Sequence, residues 1–193
     1  AFRIDINNKA ITKGGFTKRV VRLFNAHVAT GASPRFYEMP SFSVHSGVDG
    51  LFGALALSSG NRSSPLAGTH RIDGSDIVTT TANDAVYVIY DNDVARSDLY
   101  GDITLRTSPN NAGVNLSTLV LKDGVAQKTT AGVYNGGWKY NYNNVSGKYK
   151  GMNELYALDS MLYVNVFHKD GTGIAGDCGS GVVGDTELYQ FCL

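Results

Sequence analysis

Residues 173–183 read Gly173-Ile174-Ala175-Gly176-Asp177-Cys178-Gly179-Ser180-Gly181-Val182-Val183. Two chemistries fit this stretch, and each brings a different fold with it. In the first, Cys178 is a nucleophile. A thiol attacks as its thiolate, so it needs a base nearby and a path to substrate. The tetrahedral oxyanion then needs backbone N–H groups aimed at it. Glycines on both sides of Asp177-Cys178 let the backbone turn sharply enough to bring the amides of Gly176 and Cys178 together. Gly179 leaves room for an approaching carbonyl. In the second chemistry, Cys178 bonds to Cys192 across a hairpin turn at Gly184-Asp185. Closing so short a loop is worth about 3 kcal/mol in the chain-entropy account.

The rest of the chain supplies the β framework that both chemistries need. The 193 residues include 23 glycines, 4 prolines and 11 tyrosines. Short β-branched or aromatic runs fall at 20–24, 41–45, 51–57, 77–81, 85–90, 102–107, 116–121, 132–134, 148–152, 162–167, 181–183 and 188–193. Each is bounded by Gly, Asn, Asp or Ser, as strands and turns require. Only 153–160 reads as a helix. Many short strands with frequent turns predict an all-β protein, a barrel or a sandwich. The polar stretch Ser108-Pro109-Asn110-Asn111-Ala112-Gly113 interrupts the pattern. It divides the chain into lobes 1–108 and 109–193, the alternative being one β domain over 1–193.

Seventeen basic residues balance seventeen acidic ones. Nucleic acid and membrane are therefore not expected as main partners, and no apolar run is long enough to span a bilayer. Lys13, Lys18, Arg19 and Arg22 form the one local basic run, read as a solvated strand face or a weak patch for an acidic partner or RNA. His27, His45, His70 and His168 have no metal-ligand spacing with the cysteines, so neither a metal nor a cofactor is expected.

The turn Gly176-Asp177-Cys178-Gly179-Ser180 resembles the nucleophile turn of the chymotrypsin-like proteases, with Cys in place of Ser. Viral cysteine proteases of that family, which cut polyproteins, carry this form. The resemblance implies two antiparallel β-barrels and a base, acid and nucleophile in that chain order. His70 follows the small-residue run Pro65-Leu66-Ala67-Gly68-Thr69 and takes the place of the base. Asp102, in Tyr100-Gly101-Asp102-Ile103, takes that of the acid. Cys178 is then the nucleophile, with Gly176 and Cys178 giving the oxyanion hole. Asp76 is a rival acid and His27 a rival base. No His follows Cys178, so the residue with which many members read a Gln side chain has no counterpart.

The function expected from the first chemistry is a cysteine endopeptidase acting on polypeptide in the host cytoplasm. The second implies a non-enzymatic extracellular or cell-surface β-domain, such as an adhesin, pilus subunit, capsid or spike domain. It would be a β-sandwich or jelly roll carrying a Cys178–Cys192 disulfide, and would bind glycan or protein. The sequons at Asn61, Asn115 and Asn144 permit that origin. The aromatic run Tyr134-Asn135-Gly136-Gly137-Trp138-Lys139-Tyr140-Asn141-Tyr142 is either a stacking surface for sugar, a substrate-lining loop, or a hairpin whose rings cover its own core.

Overall fold

A computed structural model describes residues 1–27, 33–47, 50–62, 70–72, 75–77, 84–105, 114–115, 120–121, 136–142, 148–169 and 184–193. The described elements run β1 (Phe2–Ile6), α1 (Lys13–Phe16), β2 (Thr17–Arg22), β3 (Phe24–Asn25), β4 (Ser41–Gly47), β5 (Gly50–Ser58), β6 (His70–Ile72) and β7 (Ser75–Ile77). They continue with β8 (Ala85–Asp91), β9 (Val114–Asn115), β10 (Val120–Leu121), β11 (Gly137–Asn141), β12 (Tyr149–Gly151), β13 (Tyr156–Leu158), β14 (Met161–His168) and β15 (Asp185–Cys192). The protein is all-β.

The central sheet has the order β10-β11-β8-β5-β4, antiparallel except for β10 with β11. A second sheet has the order β12-β14-β13, with β15 also paired to β14. Two-stranded pairs β1-β2, β3-β9 and β6-β7 complete the described set, and none of these sheets closes into a barrel. The central sheet draws β4, β5 and β8 from before residue 108 and β10 and β11 from after it.

Strand periodicity explains the layers. Successive side chains point to opposite faces, and every residue of β8 is buried. Val86, Val88 and Tyr90 pack with Phe52, Ala54 and Ala56 of β5 and with Trp138, Leu162, Val164, Val166 and Phe191. That cluster is the apolar filling between the central sheet and the β14 sheet. Ala85, Tyr87 and Ile89 point the other way, joining Leu57, Val21, Leu23 and Phe24. β8 is therefore sandwiched on both sides, the pattern that a near-continuous apolar run such as Ala85-Val86-Tyr87-Val88-Ile89-Tyr90 encodes.

The aromatic run resolves toward the core at its described end. Trp138 and Tyr142 are buried, and the Trp138 indole N–H donates to Tyr90 Oη at 2.8 Å. Tyr142 Oη and Ser58 Oγ lie 2.5 Å apart. These two rings belong to the packing between sheets and are not available for stacking on a sugar.

The expected helix at 153–160 is instead β13 and its hairpin to β14. Asp159 and Ser160 have φ of 50° and 61°, and Leu158 pairs with Met161 around them. Left-handed residues at both central positions make the two-residue turn whose twist suits a hairpin. A strand expected from 102 is also absent over the described residues 102–105. Its neighbourhood is held by arginines: Arg19 donates to the carbonyls of Leu99 and Gly101 at 2.8 and 2.6 Å, and Arg96 to that of Thr104 at 3.0 Å. Backbone acceptors satisfied this way need no partner strand.

Candidate active site

β14 and β15 pair without interruption from Met161 opposite Cys192 to His168 opposite Asp185. Leu162, Val164 and Val166 fill the core from alternate positions of β14, which fixes the register against a one-residue slip. The chain thus leaves β14 and re-enters β15 side by side, and residues 169–184, with the Gly-Asp-Cys-Gly-Ser motif among them in sequence, lie between the two.

The base of this connection is tightly built. Gly184 has φ of +103°, and a Cβ there would lie 2.5 Å from the Phe167 ring and 2.6 Å from the His168 carbonyl oxygen. Only glycine accepts both the left-handed backbone and the close approach. On the other side of β14, Tyr149 stands opposite His168. The two rings stack, with centroids 4.2 Å apart and planes 5° apart. Lys169 N–H donates to the Lys148 carbonyl at 3.0 Å, extending the ladder one step.

Cys178 and Gly176, the expected nucleophile and oxyanion-hole residues, lie outside the described residues, so the Cys178–Cys192 pairing does too. Cys192 is exposed, its Sγ 3.7 Å from Met161 Sδ. His70 opens β6 and stands opposite Ile77 of β7. The rival acid Asp76 stands opposite Arg71.

The Asp102 carboxylate accepts a hydrogen bond from Lys18 Nζ at 2.8 Å, and the Asp102 side chain is 99% exposed. The Lys18 hydrogen bond, with that ammonium's charge, holds the Asp102 carboxyl below the usual aspartate range. Asp102 is thereby occupied with a lysine at the surface. His27 is exposed, its Nδ1 3.4 Å from Ser33 Oγ.

Sequence reasoning left two arrangements unread. His45 Nε2 and Ser43 Oγ are 2.7 Å apart, and Ser160 Oγ is 3.4 Å from His45 Nδ1. The Ser-Val-His spacing on β4 was the available signal, since residues two apart share a face of a strand. Burial against Phe52 lowers the His45 pKa. The second arrangement is the stack of His168, the last residue of β14, on Tyr149. Among the described residues, no group of His, Cys, Asp and Glu could hold a metal ion.

No protein-family model matches the chain. No curated protein matches it, and no solved structure does.

Proposed function

We propose that the chain is a cysteine endopeptidase, of the viral polyprotein-processing kind that its Gly-Asp-Cys-Gly-Ser turn resembles. The observation that supports this reading is the place of that motif in the chain. It lies between β14 and β15, an antiparallel pair anchored in the core and locked at its base by Gly184 and the His168–Tyr149 stack. Reactive groups on loops work when a rigid scaffold positions them.

In the proposed reaction the Cys178 thiol gives its proton to the His70 imidazole, and Sγ, as thiolate, attacks the scissile carbonyl carbon. The amides of Gly176 and Cys178 hold the oxyanion. Collapse expels the amine with the proton from His70, leaving a thioester that water cleaves. Asp102 is the proposed orienting acid, and its engagement with Lys18 makes Asp76 the competitor for that role. Two antiparallel barrels over 1–108 and 109–193 are the architecture this reading implies. Set against it are the open sheets and the central sheet's use of strands from both sides of residue 108.

Cleavage of a peptide library, with brief iodoacetamide labelling at neutral pH, tests the proposal. Cys178→Ala should abolish cleavage with the circular dichroism spectrum unchanged, and Cys178 should alkylate before Cys192. His70→Ala should stop turnover, while His168→Gln leaves it largely intact. The pair Asp102→Asn and Asp76→Asn identifies the acid. Cleavage that survives Cys178→Ala overturns the reading. So does resistance of Cys178 to alkylation until a reductant is added, which is the signature of the disulfide alternative.

A further inference from the structure

The β1-β2 hairpin is amphipathic in a way that whole-chain charge balance conceals. Its inner face is tied to the body. Arg3 donates to both Asp91 carboxylate oxygens and, at 2.8 Å, to Asp5. Arg19 reaches Asp5 at 3.4 Å, and Val21 lies in the core. The register places Ile4 opposite Val20 and Phe2 opposite Arg22. Those residues, with Ile6, make up the outer face, and all of them are exposed.

The apolar surface continues around the tip. Ile11 is 100% exposed, and Phe16 is half exposed. They wall a wide-open hollow of about 370 Å³ with Lys13 on its rim. Exposed apolar side chains gathered on one hairpin in this way mark an interaction site.

The hairpin's own charges are mostly basic. Residues 1–22 carry Arg3, Lys9, Lys13, Lys18, Arg19 and Arg22, and Asp5 as their one carboxylate. Asp5 is buried on the inner face. From the body, the exposed Asp102 reaches Lys18, while Lys9 and Lys13 stand exposed near the tip.

We infer that this hairpin is a peripheral membrane anchor, whose outer face and Ile11 tip enter the headgroup layer of an anionic bilayer. Charge decides against a second copy of the chain, because face-to-face pairing would set basic rim against basic rim. The side chains decide between an acidic protein and a bilayer. Protein hot spots favour Trp, Tyr and Arg in desolvated pockets. Here aliphatic residues and Phe are spread along a ridge and flanked mainly by lysines, the composition of interfacial anchors. A solitary Ile at a loop tip gains little from a rigid partner but buries fully in a fluid interface. Attachment of this kind needs no spanning segment. Among the described residues, no helix is long and apolar enough to cross a membrane.

Sedimentation of the full chain with extruded vesicles tests the assignment. Vesicles of phosphatidylcholine alone are compared with vesicles containing about a quarter phosphatidylserine, at about 0.05 M and about 0.5 M salt. Binding should favour the anionic vesicles by about tenfold or more at low salt and vanish at high salt. Ile11→Asp and the double change Lys9→Glu/Lys13→Glu should each weaken it about tenfold. Both lie on exposed positions, and their melting curves check that the fold is kept; the lipid and salt comparisons need no variant. Equal binding to both vesicles, no binding, or binding indifferent to the substitutions would overturn the inference. Tighter binding to polyglutamate, or a concentration-dependent dimer lost in Ile11→Asp, would overturn it in favour of a protein partner.

Discussion

The indole N–H of Trp138 donates to the hydroxyl of Tyr90, 2.8 Å away and buried between the two sheets. The bond ties β11 to β8 through side chains, two positions along from the register pair of Trp138 and Val88. A buried donor deprived of its acceptor costs about 1–3 kcal/mol. Tyr90→Phe keeps the ring and removes the acceptor. Its unfolding free energy should fall by about that amount in urea titration, with the m-value unchanged.

Leu162 and Leu158 sit four residues apart, on either side of the Asp159-Ser160 turn, with opposite burial. Leu162 is fully buried against β8, whereas Leu158 is mostly exposed. Leu162→Ala should cost about 2–5 kcal/mol through lost transfer energy and a residual cavity. Leu158→Ala should stay within about 0.5 kcal/mol. Equal losses would mean that the hairpin register differs from the one described.

Gly184→Ala asks whether the connection that holds Cys178 depends on its base. The added methyl meets both the Phe167 ring and the His168 carbonyl, in a left-handed backbone. A cost of about 2 kcal/mol or more is expected. Under the proposed function, Cys178 alkylation and peptide cleavage should fall together in this variant at temperatures where it remains folded.

Burial lowers the His45 pKa from its model-peptide value of 6.5. A histidine whose folded pKa is depressed favours the neutral form in the fold, so the unfolded chain takes up its proton first. This contribution to stability is whole above about pH 6.5. It declines as pH falls through the lowered folded value. Melting temperature should therefore drop between neutral and mildly acidic pH more steeply in the native chain than in His45→Gln. His45 is only partly buried, which keeps the difference small.

The sequence was most legible where burial is strongest. The expected strands at 51–57, 85–90 and 162–167 lie within β5, β8 and β14, because apolar runs between turn residues report burial; that at 41–45 lies within β4 on alternation alone, since its Phe42 and Val44 are exposed. β1 was passed over although Phe2-Arg3-Ile4-Asp5-Ile6 alternates cleanly. Its apolar residues face outward and its Asp5 inward, the reverse of what the pattern ordinarily means. The 153–160 segment was misread because its turn uses Asp159 and Ser160 in left-handed conformations, where glycine or asparagine is the usual signal. The candidate site was legible as a motif at Cys178. Asp102's partner, Lys18, was not, because the pair joins residues far apart in sequence through an Arg-held loop that no local pattern encodes.

β8 also sets a timescale. Its seven residues are flanked in the sheet by β11 and β5, and covered on one face by the β14 sheet and on the other by the segment around Val21 and Phe24. None of those neighbours is its immediate continuation in the chain. Ordering it requires distant segments to meet first, which is the slow route to a native state. Its central amides should accordingly be the last to exchange with deuterium, opening only when the whole core does.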